Sequence, residues 1–280
     1  MRLNDAAVQV SEWFRKKGFR ACILKGQGNA LLYPNGLHRT PGDIDIWVEG
    51  VDKRVISFVR SISPHEKACY HHIEFPSYKG VEVEVHYRPS FLLCFWHNRR
   101  LQKYYERVKA EQFSHWVMLG EQGEVAIPTM EFNLIFHLTH IYAHLMNEGI
   151  GLRQQLDYYF VLLHADIKDL AELQRNLKHF GLWKFAEAIM YIMHEVFGMP
   201  VSHFIVPPNE KYGKFVLNEV LEAGNFGKHD KRNRFGKSQL GHNLQRVYRD
   251  IRLIKYFPAE ALSEPIFRVW HFFWRMKNQK

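Results

Sequence analysis

Apolar residues recur at helical spacing near the start of the chain, at Ala7, Val8, Val10, Trp13 and Phe14. This period predicts a first helix, which Asn4 or Asp5 can cap and Gly18 can end. The stretch "FRACILKG" then predicts a strand, "QGNALLYP" the start of a helix ended by its proline, and "GDIDIWVEG" a second strand. Strands and helices therefore alternate from the beginning of the chain.

The next segments continue this mixture. The stretch "DKRVISFVRSI" has the period of a helix, and "HHIEFPSYKGVEVEVHYRPS" predicts two strands joined by a turn near Lys79 and Gly80. In the second of these strands, valines alternate with Glu82, Glu84 and His86. The first half of the chain is therefore predicted to be a mixed sheet with flanking helices.

The pattern changes near residue 126. Four segments show helical periodicity: "PTMEFNLIFHLTHIYAHLM", "GLRQQLDYYFVLLHA", "IKDLAELQRNLKHFG" and "LWKFAEAIMYIMHEVFG". The stretch "LGEQGEVAIP" supplies the turn residues between the two halves. We therefore predict an α+β fold, with an α/β domain at residues 1–125 and a mostly helical domain at residues 126–280.

Two aspartates lie one residue apart in the second predicted strand. Because side chains alternate faces along a strand, Asp43 and Asp45 point the same way, whereas Ile44 and Ile46 point the other way. Two carboxylates this close raise one another's pKa unless a cation lies between them. A divalent metal explains the pair, and the alternative is a strand end with solvated carboxylates or an N-cap for the segment that follows.

Composition limits the class of protein. The 280 residues are 46% hydrophobic, enough for a real core, and the formal net charge of +9 favours an anionic partner such as a nucleotide or nucleic acid. The three cysteines lack CxxC spacing and indicate a reducing compartment. Without a signal peptide or an apolar run long enough to cross a bilayer, we expect a cytoplasmic protein with no membrane partner.

The turn after the first strand is a candidate phosphate site. A strand that ends in "LKGQG" and enters a helix presents free backbone N–H groups, and Lys25 adds a positive charge. An ordinary turn is the alternative. Arg39, in the loop before the second strand, can contact a phosphate or form a salt bridge with Asp43.

The order of these motifs resembles the DNA polymerase beta-like nucleotidyltransferase superfamily. The closer resemblance is to a largely uncharacterised bacterial nucleotidyltransferase family with the pattern Leu-Lys-Gly, Tyr-Pro, Arg-x-x-Gly-Asp-Ile-Asp and Glu-x-His. The matching residues are Leu24, Lys25, Gly26, Tyr33, Pro34, Arg39, Gly42, Asp43, Ile44, Asp45, Glu84 and His86. The chain departs from the superfamily's usual Gly-Ser turn, since Gln27 takes the second position and Gly28 follows.

The resemblance implies a site and a reaction. Asp43, Asp45 and Glu84 would be catalytic and would bind Mg²⁺ or Mn²⁺, with Glu82 as the alternative third carboxylate. Lys25, Gly26 and Gln27, with Gly42 and Arg39, would hold the triphosphate. The implied activity moves a nucleoside monophosphate from an NTP to a hydroxyl acceptor: a small molecule, a protein or an RNA.

Two other functions remain open. A degenerate module of the same fold would bind nucleotide or RNA without turnover. The departure from the Gly-Ser turn at Gln27 favours this alternative. A metal-dependent phosphohydrolase would use the same carboxylates but lacks a recognisable histidine-aspartate ligand set.

Two further segments carry candidate chemistry. His137, His140 and His144 share one helix face, and we expect them to line the cleft opposite the aspartates rather than to bind zinc. The most basic segment, residues 224–258, is typical of a flexible loop over an anionic substrate or of a solvated surface. Its cluster consists of Lys228, Lys231, Arg232, Arg234 and Lys237, with Phe226 and Phe235.

Overall fold

The computed structural model describes residues 2–40, 42–224, 227, 230, 232 and 238–278. The helices in this part of the chain are α1 (Arg2–Lys16), α2 (Gln27–Ala30), α3 (Asp52–Ile62), α4 (Phe95–Gln112), α5 (Met130–Asn147), α6 (Leu152–His164), α7 (Leu170–His179), α8 (Trp183–Phe197), α9 (Glu210–Ala223), α10 (Gln239–Leu253) and α11 (Pro258–Asn278). The strands are β1 (Ala21–Ile23), β2 (Ile44–Val48), β3 (His72–Tyr78), β4 (Val81–His86), β5 (Trp116–Met118) and β6 (Glu124–Ala126). The predicted α+β class is confirmed.

The chain divides into two compact units. The first unit contains Met1–Ser90, Gln102–Asn133 and His271–Lys280, and the second contains Phe91–Leu101 and Leu134–Trp270. The division of the chain into folding domains at residues 125 and 126 stays a prediction.

The first unit is built on a four-stranded mixed sheet with the order β1-β2-β4-β3. β2 and β4 are parallel, whereas β1 pairs with β2 and β3 pairs with β4 in the antiparallel sense. β3 and β4 meet at the predicted turn, where Lys79 and Gly80 take φ angles of 52° and 79°. Such angles are those of a tight hairpin turn, so the sequence pattern located this turn correctly.

One face of this sheet is apolar. Ile23, Ile44, Ile46, Val83 and Val85 are buried in one cluster with residues of α1 and α3. This cluster removes apolar surface from water and fixes the face on which the alternate residues must lie. The alternate residues lie on the opposite face, where Trp47 packs against Phe113 and Phe132 while Asp45, Glu84 and His86 form a polar cluster.

The second unit is helical. Tyr142 of α5 stacks on Phe185 of α8 with ring centroids 4.3 Å apart, and Phe215 of α9 stacks on Tyr256 at 3.8 Å. The first contact joins two helices, and the second joins α9 to the turn between α10 and α11; of these helices, α9 and α10 were not predicted. In the described part of the chain, no helix has the length and apolar character needed to span a membrane.

Several local predictions were wrong. α1 already begins at Arg2, so Asn4 and Asp5 lie inside the helix and do not cap it. α4 and the strands β5 and β6 were not predicted; the turn between these strands lies in the stretch that was interpreted as turn residues, but β6 occupies the rest of it. α10 takes up residues 239–253 of the segment that was interpreted as a loop.

Two arginines in the described part of the basic segment are paired with carboxylates. Arg232 lies 2.8 Å from both Glu219 and Asp230, and Arg252 lies 3.1 Å from Glu219. Arg232 is therefore held by carboxylates of its own chain. The other residues named for this cluster, Phe226, Lys228, Lys231, Arg234, Phe235 and Lys237, lie outside the described residues.

Candidate active site

The polar face of the sheet gathers titratable side chains from three strands. The register places Asp45 beside Glu84 on the parallel strands β2 and β4, and Glu84 and His86 beside Glu74 and His72 on β3. Paired residues of neighbouring strands point to the same face. The alternation of isoleucine with aspartate in β2 and of valine with glutamate in β4 therefore builds one apolar and one acidic face.

Three carboxylates meet on this acidic face. Asp43, Asp45 and Glu84 each offer an oxygen, and these oxygens all lie within 4.8 Å of one another. Glu82, the alternative third carboxylate, lies two residues before Glu84 on β4, and its side chain is exposed. The geometry thus groups Glu84, rather than Glu82, with the two aspartates.

Two cations face Asp45. Lys25 Nζ and His86 Nε2 both lie 3.1 Å from Asp45 Oδ1, whose side chain is 1% exposed. Burial alone would raise the pKa of Asp45, but Lys25 and His86 outweigh it and hold this pKa far below its usual value. Burial likewise opposes the charged form of Lys25, but Asp45, Asp43 and Glu84 raise its pKa. Asp45 is therefore an ionised carboxylate at neutral pH.

His86 is held as an imidazolium. Its Nδ1 lies 3.3 Å from the Arg88 carbonyl oxygen, and its Nε2 lies within reach of Asp45 and, at 3.3 Å, of Glu84 Oε2. Burial lowers the pKa of His86, but hydrogen bonds to the two carboxylates raise it to about 9. With both nitrogens protonated, the ring can donate to the carbonyl and to a carboxylate at the same time.

The other two carboxylates differ from each other. The pKa of Asp43 is raised, because burial and the charge of Asp45 outweigh the attraction of Lys25. Burial also opposes ionisation of Glu84, but His86 and His72 lower its pKa below the usual value. Asp43 is thus the carboxylate whose charge the chain compensates least.

The turn before α2 lies against the start of β2. Because β1 and β2 are antiparallel, the end of β1 meets Asp43 and Asp45, and the Leu24 amide donates to the Asp45 carbonyl at 2.9 Å. Gly26 has a φ of +65°, and a Cβ there would lie 3.6 Å from the Asp43 carbonyl oxygen. The predicted helix after this turn is only four residues long.

The remaining residues assigned to phosphate binding lie around this turn and in the loop before β2. Gln27 is buried, and its Oε1 has no hydrogen-bond partner. Gly42 is exposed, and a Cβ there would meet nothing within 4 Å. Arg39 is half-buried and contacts the Thr40 carbonyl oxygen at 3.4 Å. Their role in binding stays a prediction.

The two glycines of the candidate phosphate site should respond differently to alanine. At Gly26 the positive φ strains any L-residue, so Gly26→Ala is expected to lower the free energy of unfolding by about 1–2 kcal/mol. Gly42 has no such φ and no close neighbour, so Gly42→Ala should stay within about 0.5 kcal/mol of the wild type. Urea unfolding measures both values, and equal losses at the two positions would contradict the strained turn.

The donor set fits a hard divalent cation. Carboxylate oxygens are the ligands that Mg²⁺ and Mn²⁺ take in proteins. Asp45 Oδ2 is buried without a hydrogen-bond partner, and Asp43 has a raised pKa beside it. A cation bound by Asp43, Asp45 and Glu84 would give Asp45 Oδ2 a partner and would relieve the repulsion between the carboxylates of Asp43 and Asp45.

Sequence reasoning missed part of this site. His86 was matched only as a motif position, although the alternation of β4 already places it on the face of Glu84. His72 was given no role, yet its Nδ1 lies 3.5 Å from Glu84 Oε2. Burial lowers the pKa of His72 to about 4, against the attraction of Glu84, so the ring is neutral at pH 7. Its place depends on the register shift between Phe75 and Tyr78 in the pairing of β3 with β4, which the sequence pattern did not predict.

The histidines of α5 belong to the second unit. His140 and His144 pack edge-on with ring centroids 4.4 Å apart, and His144 Nδ1 lies 2.6 Å from Glu148 Oε1. Among the residues that the structure describes, none of the groups of three close potential metal ligands includes His137, His140 or His144. That these histidines line a cleft opposite the aspartates stays a prediction.

Comparison with known proteins adds one family. A family model described as "Uncharacterised nucleotidyltransferase" matches residues 1–198. The match covers more than half of the 280 residues and includes every residue of the carboxylate site. No curated protein matches the chain.

Proposed function

The chain belongs to this family of uncharacterised nucleotidyltransferases, and we propose that it transfers a nucleoside monophosphate from an NTP to a hydroxyl acceptor in a reaction that depends on Mg²⁺ or Mn²⁺. The observation that carries the proposal is the group of Asp43, Asp45 and Glu84, whose oxygens lie within 4.8 Å of one another. The unpartnered Oδ2 of Asp45 supports it, because a buried carboxylate oxygen without a partner is costly unless a ligand satisfies it.

Each carboxylate has a defined part in this proposal. Asp43, Asp45 and Glu84 would hold the metal ions, which when bound neutralise triphosphate charge and lower the pKa of the acceptor hydroxyl. Lys25 and His86 keep Asp45 ionised and fix its orientation through contacts of 3.1 Å. We also assign to Glu84 the acceptor's proton, the role that the resemblance to nucleotidyltransferases implies for the third carboxylate.

The triphosphate would lie against the turn beside Asp43. Gly26 allows the positive φ of +65° that this turn needs beside Asp43. We assign Lys25, Gly26 and Gln27 to the phosphates, with Gly42 and Arg39 from the loop before β2. Attack at the α-phosphorus then releases pyrophosphate, and the oxygens of the acceptor and of the leaving group lie in line.

A titration tests the binding step. Isothermal titration with each of the four NTPs and Mg²⁺ should show binding to the wild type and roughly 10–100-fold weaker binding to Asp43→Asn. Asp43 is the residue to change, because Asp45 also holds Lys25 and His86. Glu82→Gln removes an equal charge from an exposed position of β4 and should bind like the wild type.

The product identifies the reaction. With NTP labelled at the α-phosphate, a transferase moves the label to an acceptor and releases pyrophosphate. Metal-dependent binding with no transfer in a screen of small-molecule, protein and RNA acceptors would favour the degenerate binding module instead. Release of orthophosphate without labelled acceptor would favour a phosphohydrolase, and no NTP binding with either metal would overturn the proposal.

A further inference from the structure

A second group of potential metal ligands lies in the short loop before β3 and at the first residue of that strand. Cys69, His71 and His72 offer one thiol and two imidazoles, and a donor atom of each lies within 4.8 Å of the others. Cys69 Sγ is 3.4 Å from His71 Nδ1, and His71 Nε2 is 3.0 Å from His72 Nδ1. The arrangement follows from the sequence Cys-x-His-His in a tight loop, which the carboxylate site does not use.

The loop that carries these donors is held by backbone hydrogen bonds. Ala68 and Ile73 form an isolated bridge, and the Cys69 amide donates to the His72 carbonyl at 2.9 Å. The amides of Tyr87 and Arg88 both donate to the His71 carbonyl, at 3.0 and 3.1 Å. The backbone is therefore fixed at both ends and in the middle. Cys69 and His72 contact opposite nitrogens of the His71 ring, so this ring must turn for all three side chains to bind one ion.

The donor chemistry selects a soft or borderline cation. Thiolate and imidazole are the ligands of Zn²⁺, whereas Mg²⁺ prefers oxygen. Bond lengths of about 2.3 Å to sulfur and about 2.0 Å to nitrogen, at a tetrahedral angle, separate the two donor atoms by about 3.5 Å. The observed 3.4 Å between Cys69 Sγ and His71 Nδ1 matches this separation.

We propose that Cys69, His71 and His72 form a zinc-type transition-metal site, separate in chemistry from the carboxylate site and next to it. Three protein ligands leave a fourth position for water or a substrate group. The site borders the carboxylates, since His72 Nδ1 also lies 3.5 Å from Glu84 Oε2. This proposal does not depend on the nucleotidyltransferase reaction.

The second unit contains a group that serves as a matched comparison. Cys94, His97 and Glu260 also lie within 4.8 Å of one another. However, Glu260 Oε2 already accepts the amides of Leu93 and Cys94, at 2.6 and 3.1 Å, and Glu260 Oε1 lies 3.2 Å from His97 Nδ1. Its carboxylate therefore has a structural partner at each oxygen, and we expect the metal at the loop before β3 instead.

Cobalt(II) is the probe that distinguishes these sites. Added to metal-free, fully reduced protein, Co²⁺ bound by a thiolate gives a ligand-to-metal charge-transfer band in the near ultraviolet, and a four-coordinate ion gives intense visible bands. A cobalt ion bound by carboxylates alone gives neither. We expect both sets of bands to saturate at one cobalt per chain, to be displaced by Zn²⁺ and to persist in excess Mg²⁺.

Two cysteine variants assign the ligand. Cys69→Ser should remove the charge-transfer band, and Cys94→Ser should keep it.

His71→Ala and His72→Ala should each weaken cobalt binding by roughly tenfold or more. Circular dichroism of the metal-free proteins shows whether each variant is folded. Absence of the band in the wild type, or its loss in Cys94→Ser but not in Cys69→Ser, would overturn the proposal whether or not the protein transfers nucleotides.

Discussion

Replacing Glu84 with glutamine is expected to lower kcat/KM for nucleotidyl transfer by roughly 10³-fold, because a metal ligand contributes several kcal/mol to charge stabilisation in the transition state. Glutamine keeps the shape of the side chain and removes only its charge. The glutamate side chain is 33% exposed, so the change should be tolerated by the fold. The loss should appear in the transfer step and not in the amount of folded protein.

The neighbouring glutamate is the control for this prediction. Glu82 lies two residues earlier on the same strand face, is exposed and lies outside the carboxylate group. Glu82→Gln should therefore keep kcat/KM within about threefold of the wild type, a difference below about 1 kcal/mol. Transfer of α-labelled nucleotide measures both variants under the same conditions.

The comparison between the two glutamates separates a local role from a general one. If both variants lose activity equally, the two glutamates of β4 act only through their negative charge. The assignment of Glu84 as the third metal ligand would then be wrong. If Glu84→Gln is fully active, the carboxylate group is not the reaction centre. Higher Mg²⁺ should restore part of the activity of Glu84→Gln, because weaker metal binding is the cause of its defect.

Much of the first unit could be predicted from local patterns. The alternation in "GDIDIWV" and "VEVEVH" identified β2, β4 and the residues that share a face, since side-chain direction in a strand has a period of two. The turn at Lys79 and Gly80 was equally local. The α5 to α8 helices were found because their apolar residues repeat over several turns.

The choice between Glu82 and Glu84 could not be made in this way. Both glutamates lie on the same face, and only the pairing of β4 with β2 places Glu84 beside Asp45. His72 reaches Glu84 because the register of β3 against β4 shifts between Phe75 and Tyr78, and the predicted turn did not indicate this shift. Register is a property of two paired strands, so a motif within one strand does not determine it.

Short or polar secondary-structure elements were not predicted from the sequence for another reason. β5 and β6 have three residues each, too few for a period to be seen, and their stretch is rich in turn residues. α4 is strongly polar between its buried residues Leu101 and Tyr105, so its apolar face is narrow. Both elements are stabilised by tertiary contacts, which local propensity does not measure.

The electrostatics of the site predict how stability depends on pH. His86 has a folded-state pKa of about 9 against an ordinary value of 6.5, because Asp45 and Glu84 bind its charged form. The charged His86 therefore contributes fully to the free energy of unfolding below pH 6.5, and this contribution is lost as the pH rises through about 9. At about 1.4 kcal/mol for each unit of pKa shift, the contribution amounts to about 3 kcal/mol.

Substitution of His86 isolates this contribution from other titrating groups. His86→Gln keeps a hydrogen-bond donor near Asp45 but carries no charge at any pH. In metal-free buffer, the wild type should be more stable than this variant at pH 6, and the difference between their free energies of unfolding should shrink by about 3 kcal/mol between pH 6.5 and 9. Urea unfolding at several pH values measures the difference, and a constant difference across that range would show that His86 is neutral in the folded protein. The sign is decisive, because a neutral buried histidine would instead make the fold less stable as the pH falls below 6.5.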